Sequence, residues 1–296
     1  MRVAVIINPI SGTGGRADIA RARAEQAAAL LAHHRIDGEV LLTEWPGHAR
    51  ELAHAAVARG ARLVLAWGGD GTVNEVASVL AFGDVAMAIV PSGSGNGLAR
   101  ELTVPCVPEA AFAIAFRGRE RLIDAGELDG RLFFNVAGLG LDARVAHRFA
   151  VNGLERRGFA RYLSMTAREL FAYQPDEHAI STDGATMRVR ALVIAIANSR
   201  QYGNGALIAP DARLDDGRLD VVVVNARSPV MALAQMPAIF MGRIAQLPGV
   251  TMRTAVNIEI TSAGPVLYHV DGEPFVGGAS IGARARPGAL RIMAGA

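Results

Sequence analysis

Short apolar runs alternate with helix-forming stretches through the N-terminal part of the chain. Runs of this length, rich in Val, Ile, Leu and Ala, are typical of parallel strands buried on both faces. The predicted strands are Val3–Ile7, Glu39–Thr43, Leu63–Trp67 and Val85–Val90, and the predicted helices between them span Ala17–His33, His48–Arg59 and Thr72 to about Phe82. This alternation predicts a parallel sheet, and such sheets bind ligands at the carboxyl ends of their strands.

The pattern changes near Ile123, beyond which β-rich segments stand beside Asp-Gly pairs. Such pairs favour two-residue hairpin turns, so this part predicts an antiparallel sheet or sandwich. The four pairs are Asp129-Gly130, Asp183-Gly184, Asp216-Gly217 and Asp271-Gly272. Two helical segments interrupt the strands: a basic amphipathic one, Leu154–Tyr173, and a methionine-rich one, Pro229–Met241. Core packing is the expectation for the second helix, with an acyl-chain pocket as its alternative.

The stretch from Leu63 to Glu75 combines a buried strand, a glycine-rich turn and a helix start. Thr72, followed three residues later by Glu75, predicts a capping box at that helix. A glycine loop before a helix lets backbone N–H groups approach a phosphate. Asp70 lies inside this loop. Because an acid repels phosphate unless a divalent cation or a proton transfer intervenes, Asp70 indicates phosphoryl transfer, with a structural cap on the turn as the alternative role.

Composition narrows the classes of protein. A chain of 296 residues, 51% hydrophobic and 20% charged, predicts two folded domains. The 30 basic residues are nearly all arginine and form no long run, which argues against nucleic-acid binding. One cysteine, Cys106, fits a reducing compartment. The sequence shows neither a signal peptide nor an 18-residue apolar stretch, so we expect a cytoplasmic protein that contacts a membrane without spanning it.

Five motifs occur in an order that resembles one known family. They are Asn8-Pro9 with Ser11-Gly12, Gly68-Gly-Asp-Gly-Thr-Val-Asn-Glu75, Pro91-Ser-Gly-Ser-Gly-Asn96, Ala209-Pro-Asp-Ala-Arg-Leu-Asp-Asp-Gly217 and Asp271-Gly-Glu273. The chain resembles the diacylglycerol kinase catalytic superfamily, which includes bacterial lipid kinases and sphingosine kinases and has more distant relatives in the NAD kinases and phosphofructokinases. The resemblance covers most of the chain.

The resemblance implies an α/β fold in two domains. A Rossmann-like nucleotide-binding domain would span residues 1–123, its last strand contributed by residues 288–296. A C-terminal antiparallel β-sandwich that binds the lipid would span residues 124–287. In this family the active site lies in the cleft between the two domains.

The resemblance also implies ATP and Mg²⁺ as cofactors and assigns roles to residues. Glu273 would be the general base that accepts the hydroxyl proton, and Asp70 would act through the metal and water network that links the phosphates to Glu273. The alternative for Glu273 is a solvated hairpin glutamate. The residues expected to bind the nucleotide are Asn8, Thr43, Gly68, Gly69, Asp70, Gly71, Thr72, Asn74 and Ser94.

The metal segment is less specific, because Asp215-Asp216-Gly217 taken alone is most often a charged turn. By resemblance, Mg²⁺ would bind the side chain of Asp216 and the backbone carbonyls of Arg213 and Arg218. Arginine side chains do not bind cations, so this assignment requires that the backbone supplies those oxygens.

The expected reaction transfers the γ-phosphoryl group of ATP to the primary hydroxyl of a membrane lipid, with diacylglycerol as the first expectation. Gly97 stands where diacylglycerol kinases carry an aspartate after Asn96, a pattern closer to sphingosine and ceramide kinases. An NAD kinase-like enzyme with a soluble acceptor and a non-catalytic binder of nucleotide or lipid are further alternatives. We expect contact with the inner face of the membrane and no nucleic-acid partner, and the sequence is compatible with a homo-oligomer.

Overall fold

The computed structural model describes residues 2–12, 17–151, 159–225 and 228–295. The chain divides into two compact units. The first unit holds residues 1–123 and 288–296, and the second holds residues 124–287. The confirmed fold class is a mixed α/β unit with a parallel sheet, followed by an antiparallel β unit.

The first unit is built on four parallel strands, which the end of the chain's last strand joins in parallel at one edge. Its elements are β1 (Val3–Ile7), α1 (Ala17–His33), β2 (Gly38–Leu42), α2 (His48–Ala58), β3 (Leu63–Gly68), α3 (Asp70–Leu80), β4 (Ala86–Pro91), α4 (Gly97–Glu101), α5 (Pro108–Arg117) and the start of β5 (Arg119–Leu128). The strand order is β2-β1-β3-β4. Strands β1, β3 and β4 are fully buried, which explains why their sequences are apolar without alternation.

This strand order places a switch point between β1 and β3. The chain leaves β1 toward β2 on one side and continues from β3 toward β4 on the other. Loops that follow strands on either side of such a point diverge and leave a crevice at the carboxyl edge of the sheet. The register aligns Ile7 with Trp67, so the loop after β1 and the loop after β3 begin side by side.

The predicted capping box at α3 is wrong. Gly69 is the N-cap residue, and Thr72 lies inside the first turn of the helix. The Thr72 hydroxyl accepts a hydrogen bond from Asn8 Nδ2 at 3.0 Å, while Glu75 Oε1 accepts the backbone N–H of Gly47 at 3.1 Å. Both side chains therefore join separate segments of the first unit, because tertiary partners compete successfully with the local capping geometry.

In the described part of the chain, the second unit contains two large antiparallel sheets and a two-stranded one. Its elements are the end of β5, then β6 (Arg131–Phe133), β7 (Val136–Gly140), α6 (Leu141–Val151), α7 (Phe159–Ala172), β8 (His178–Thr182), β9 (Ala185–Val189), β10 (Val193–Ala197), β11 (Gln201–Gly203), β12 (Ala206–Leu207), β13 (Leu219–Val224), α8 (Pro229–Phe240), a short 3₁₀ helix (Ile244–Gln246), β14 (Val250–Ala255), β15 (Asn257–Ser262), β16 (Leu267–Val270), β17 (Glu273–Val276) and β18 (Ser280–Ala294). One sheet has the order β14-β13-β10-β7-β16-β17, and the other contains β18-β15-β8-β9. Side chains from both sheets, such as Val221 and Ile260, pack in one apolar core.

Three of the four Asp-Gly pairs form the predicted hairpins. Asp129, Asp183 and Asp271 have φ between +46° and +49°, and the following glycines also have positive φ. Positive φ at both central residues is the type I′ geometry that Asp-Gly favours. The prediction fails at Asp216-Gly217, because this turn precedes β13, whose strand partners are β10 and β14.

The two predicted helices of the second unit have different outcomes. Residues 154–158 lie outside the described residues, and α7 covers Phe159–Ala172. The methionine-rich helix forms as α8. Its expected core packing applies to one face, because Ala232, Leu233 and Ile239 pack on apolar clusters of the second unit although no residue of the helix is fully buried. Among the described helices, none combines the length and the apolar character needed to cross a bilayer.

Candidate active site

Three loops of the first unit meet at the carboxyl edge of its parallel sheet. Loop 1 (residues 8–12) follows β1, loop 2 (residues 68–72) follows β3 and loop 3 (residues 92–96) follows β4. The backbone N–H of Asn8 donates to Trp67 at 2.8 Å, and that of Ser92 donates to Gly68 at 2.9 Å. Each loop is therefore bonded to its neighbour where it leaves the sheet.

Glycines allow these loops to pack backbone against backbone. A Cβ atom on Gly93 would lie 2.6 Å from Gly69 Cα, and one on Gly12 would lie 2.2 Å from the Ser92 carbonyl oxygen. Gly12 also has φ +76°, a conformation that side chains disfavour. Any larger residue at Gly12 or Gly93 would push the loops apart.

We expect Gly93→Ala to weaken nucleotide use. The added Cβ meets backbone atoms of loop 2, which cannot rotate away, so the loop has to shift by several tenths of an ångström. Because the resemblance assigns phosphate binding to fixed backbone groups of loop 2, the expected result is an increase in KM for ATP of roughly tenfold. Steady-state kinetics would show this. The control is Gly60→Ala, an open position with positive φ, which carries backbone strain without the clash; an equal KM for both variants would contradict the expectation.

Asp70 turns its carboxylate toward loop 3. Oδ2 accepts the N–H of Asn96 at 2.9 Å, and Oδ1 accepts the N–H of Gly97 at 2.7 Å. Asp70 thereby satisfies the first backbone donors of α4. Burial raises the pKa of Asp70, opposed by these hydrogen bonds and by the charge of Arg100. These bonds match the alternative role of Asp70 as a structural cap. The capped backbone belongs to loop 3 and the start of α4, whereas the alternative placed the cap on the turn that holds Asp70.

Loop 1 is held by a network that the sequence did not single out. Arg23, on α1, donates to the carbonyls of Asn8 and Ser11 at 3.0 Å each. The Ser11 and Ser92 hydroxyls lie 2.6 Å apart and join loop 1 to loop 3. Burial lowers the pKa of the Arg23 guanidinium below its ordinary value. A half-buried arginine at the carboxyl edge of the sheet supplies positive charge there, and nothing in the helical pattern of α1 marks its position.

The other predicted nucleotide-binding residues lie on the same edge of the first unit. Thr43 directly follows β2, is buried and bonds its N–H to Ile7 at 2.9 Å. Ser94 is exposed within loop 3. Asn74 lies on α3, where its Oδ1 accepts the Ser78 hydroxyl at 3.3 Å. The backbone N–H groups of Gly71 and Thr72 belong to the first turn of α3, where helices leave donors free for an anion.

The turn that carries Glu273 is anchored by Asp271. Asp271 Oδ1 accepts the N–H groups of Asn135 and Val136, and Oδ2 accepts that of Phe134, all at 3.0 Å. Glu273 is the first residue of β17 and is exposed. The Asp-Gly turn is visible in the sequence, whereas the inward direction of the Asp271 carboxylate is not.

A buried cluster lies beside this turn in the second unit. His269 Nε2 lies 3.0 Å from Asp142 Oδ2, and the Tyr202 hydroxyl donates to the same carboxylate. The N–H of Gly272 donates to His269 Nδ1 at 3.3 Å. Because Nδ1 accepts, the proton of a neutral His269 lies on Nε2 and is donated to Asp142. Asp142, Tyr202 and His269, which are far apart in the sequence, thus support the turn at Gly272, directly before Glu273.

The predicted metal segment brings acidic groups together on the second unit. Burial, followed by the charges of Asp216 and Asp211, raises the pKa of Asp220 to about 6. A divalent cation bound near these carboxylates would remove their repulsion. Asp216 Oδ1 accepts the Arg218 N–H at 3.0 Å, and Arg213 Nε lies 3.7 Å from Asp215. Within the described parts of the chain, no three His, Cys, Asp or Glu side chains are grouped to hold a metal, so backbone carbonyls would have to complete the site.

Asp124 is a further residue that the sequence marked only as a boundary. Its buried carboxylate accepts the Gly217 N–H at 2.6 Å, which ties β5 to the turn that carries Asp216. Asn198 Nδ2 donates to the Asp124 carbonyl at 2.9 Å. A single acid inside the apolar run Leu122-Ile-Asp-Ala125 is the sequence feature that could have indicated it.

Comparisons with known proteins agree with this division of the chain. Residues 2–128 match the model of the diacylglycerol kinase catalytic domain, and residues 135–294 match that of the YegS C-terminal NAD kinase beta sandwich-like domain. The crystal structure of a diacylglycerol kinase from Bacillus anthracis strain Sterne superposes with a TM-score of 0.72 at 19% identity, covering 99% of this chain and 96% of that one. At this identity the likeness supports the fold.

Two full-length relatives carry the family assignment. The protein named "Diacylglycerol kinase" from Mycobacterium tuberculosis strain CDC 1551 is 33% identical over 280 residues, which cover 92% of this chain and 88% of that protein. The protein named "Probable lipid kinase YegS-like" from Pseudomonas aeruginosa strain PAO1 is 31% identical over 274 residues, covering 90% and 89%. The chain therefore belongs to the diacylglycerol kinase catalytic-domain family of lipid kinases, and it is a phosphotransferase with an alcohol group as acceptor.

Proposed function

We propose that this enzyme uses ATP and Mg²⁺ to phosphorylate the primary hydroxyl of diacylglycerol, giving phosphatidate. One observation supports the proposed use of ATP. Three glycine-containing loops meet at the carboxyl edge of the sheet beside its switch point, and the N-terminus of α3 lies among them. The relative from M. tuberculosis, named for diacylglycerol, supports the choice of acceptor. The proposed place of action is the cytoplasmic face of the membrane.

The proposed reaction assigns one task to each part of the chain. The hydroxyl oxygen of the lipid forms a bond to the γ-phosphorus while the bond from that phosphorus to the β,γ-bridging oxygen breaks, and ADP leaves. The hydroxyl proton passes to the carboxylate of Glu273. Backbone N–H groups of loop 2 and the hydroxyls of Thr43 and Ser94 hold the phosphates and nucleotide. Asp70 keeps loops 2 and 3 in register by accepting the N–H groups of Asn96 and Gly97.

The proposed metal site uses the side chain of Asp216 and the carbonyls of Arg213 and Arg218. A bound Mg²⁺ neutralises phosphate charge as it develops during transfer. Asp124 contributes by holding Gly217, and thereby the Asp216 turn, in place through a 2.6 Å hydrogen bond.

Asp220 gives a pH-dependent expectation for stability in the absence of metal. Its folded pKa of about 6 lies above the ordinary aspartate value of 3.8, so the folded state binds the proton more tightly than the unfolded state. Stability from this group is present below the unfolded pKa and is lost as the pH rises toward 6. Because the carboxylate is partly exposed, solvent screening reduces the effect to about 1 kcal/mol.

We therefore expect Asp220→Asn to be more stable than the parent by about 1 kcal/mol near pH 8, with the difference vanishing near pH 4. Urea unfolding in EDTA at both pH values would measure it. Asp183→Asn is the control, since the pKa of Asp183 is lowered by hydrogen bonds from Asn257 and Val256. A pH-independent difference for Asp220→Asn would contradict the expectation.

The acceptor is tested with a panel of substrates. Purified enzyme is incubated with γ-labelled ATP, Mg²⁺ and either diacylglycerol, sphingosine, ceramide or NAD. We expect label in phosphatidate and none when EDTA replaces Mg²⁺. Label in sphingosine or ceramide would assign the enzyme to the sphingosine and ceramide kinases, whose sequence pattern Gly97 resembles. Label in NAD alone would replace the lipid acceptor by a soluble one. Nucleotide binding without any labelled product would favour a non-catalytic binder.

A further inference from the structure

The outward face of α8 is apolar, contrary to the usual pattern of surface helices. Ser228 caps the helix by accepting the Met231 N–H at 3.2 Å, so the helix has a defined start. Its exposed positions recur at helical spacing and carry no polar side chain. They are Val230, Met231, Ala234, Pro237, Phe240 and Met241, of which Val230 is 69% exposed and Met241 59%. Contiguous exposed apolar surface of this kind marks an interaction site.

The opposite face of α8 is already packed on the second unit. Ala232 and Leu233 contact an apolar cluster that includes Leu170 of α7, and Ile239 packs against a second cluster of the same unit. Gln235, the one polar residue of the helix sequence, donates to the Pro248 carbonyl at 3.3 Å. The helix is therefore fixed in orientation, and its outward stripe is a stable feature of the surface.

The chain segment that carries this stripe is basic. Between Asp220 and Glu259 the sequence contains three arginines and no acidic residue. Arg243, just beyond α8, and Arg253, on β14, are exposed, as is Arg168 on the helix α7 that packs against α8. Phe171, at the end of α7, is 63% exposed and extends the apolar surface. An apolar helix flanked by arginines matches a bilayer surface with anionic headgroups.

A bilayer accounts for this face better than a protein partner does. Protein interfaces bury hydrogen-bonding side chains at roughly one bond per 100–200 Å², and the outward stripe of α8 offers none. We infer that α8 docks this protein onto anionic membranes, with Val230 and Met241 inserting at the level of the headgroups and the arginines contacting lipid phosphates. The inference builds on the proposed lipid acceptor, but the binding itself does not require turnover.

Vesicle sedimentation tests the docking surface without catalysis. The parent protein is mixed with vesicles of phosphatidylcholine alone or with phosphatidylglycerol added. We expect binding to the anionic vesicles that weakens with salt, and at least tenfold weaker binding for the double variant Val230→Ser with Met241→Ser. The control is Val107→Ser with Leu122→Ser, which removes two exposed apolar side chains, 55% and 52% exposed, from the first unit. Control binding equal to the parent is expected.

Activity on two forms of substrate separates docking from catalysis. With a short-chain diacylglycerol dissolved below its micelle concentration, the double variant should match the parent; with diacylglycerol in anionic vesicles, it should lose activity in proportion to its weaker binding. Unchanged sedimentation of the double variant would overturn the inference. Light scattering that shows a parent dimer and a monomeric variant would overturn it as well, because a second copy would then cover α8.

Discussion

Replacing Glu273 by Gln is expected to lower kcat for lipid phosphorylation by roughly 10² to 10⁴, the usual contribution of a positioned general base. Gln keeps the size of the side chain but cannot accept the hydroxyl proton. Glu273 is exposed at the start of β17, so the substitution should leave the fold intact. Single-turnover phosphorylation of diacylglycerol by the purified variant measures the effect, and thermal unfolding checks that the protein is folded.

The matched control for this experiment is Glu259→Gln, an exposed strand glutamate of the same unit whose carboxylate accepts the Ser280 hydroxyl at 3.1 Å. It should retain the parent rate. If folded Glu273→Gln also retained that rate, the solvated hairpin glutamate considered from the sequence would be the better description of Glu273.

The second large effect concerns stability. Asp271→Ala removes the acceptor for the N–H groups of Phe134, Asn135 and Val136. Hydrogen bonds to a charged group contribute about 1.5–3 kcal/mol each when buried, and Asp271 is half-buried, so we expect a loss of about 3 kcal/mol in the free energy of unfolding. Urea denaturation measures it. Activity should fall as well, because the turn that carries Glu273 loses its anchor.

A second Asp-Gly hairpin provides the comparison. Asp183 has the same backbone conformation as Asp271 and also accepts backbone N–H groups, those of Val256 and Asn257, but it is exposed. Water replaces its hydrogen bonds on mutation, so Asp183→Ala should cost much less. Equal losses for the two variants would show that the turn itself, rather than the buried anchor, determines the stability.

Local patterns in the sequence account for most of the architecture. The buried strands of the first unit and the three type I′ hairpins of the second follow from apolar runs and Asp-Gly pairs, because each feature depends on neighbouring residues. The family, the enzyme class and the fold class were also predictable, since the five motifs occur in order along the chain.

Features that depend on distant partners were not predictable. Glu75 matches a capping box, yet it bonds to Gly47, and Asp70 satisfies donors at Asn96 and Gly97 rather than its own turn. Apolar composition predicted that α8 would be buried, but composition does not say which partner covers a helix. The roles assigned to Glu273, Asp216 and the nucleotide-binding residues stay predictions until the experiments above are made.

The strand β18 has a consequence for the order in which the chain folds during synthesis. Its first half pairs with β15, and its end pairs in parallel with β4, where Ile292 aligns with Met87. Residues 87 and 292 are about 200 residues apart in the sequence. The edge of β4 therefore stays open until these further residues have left the ribosome. An unpaired apolar strand edge invites aggregation, so the N-terminal sheet is exposed to this risk during that interval. A stop codon shortly before residue 288 would make this transient exposure permanent.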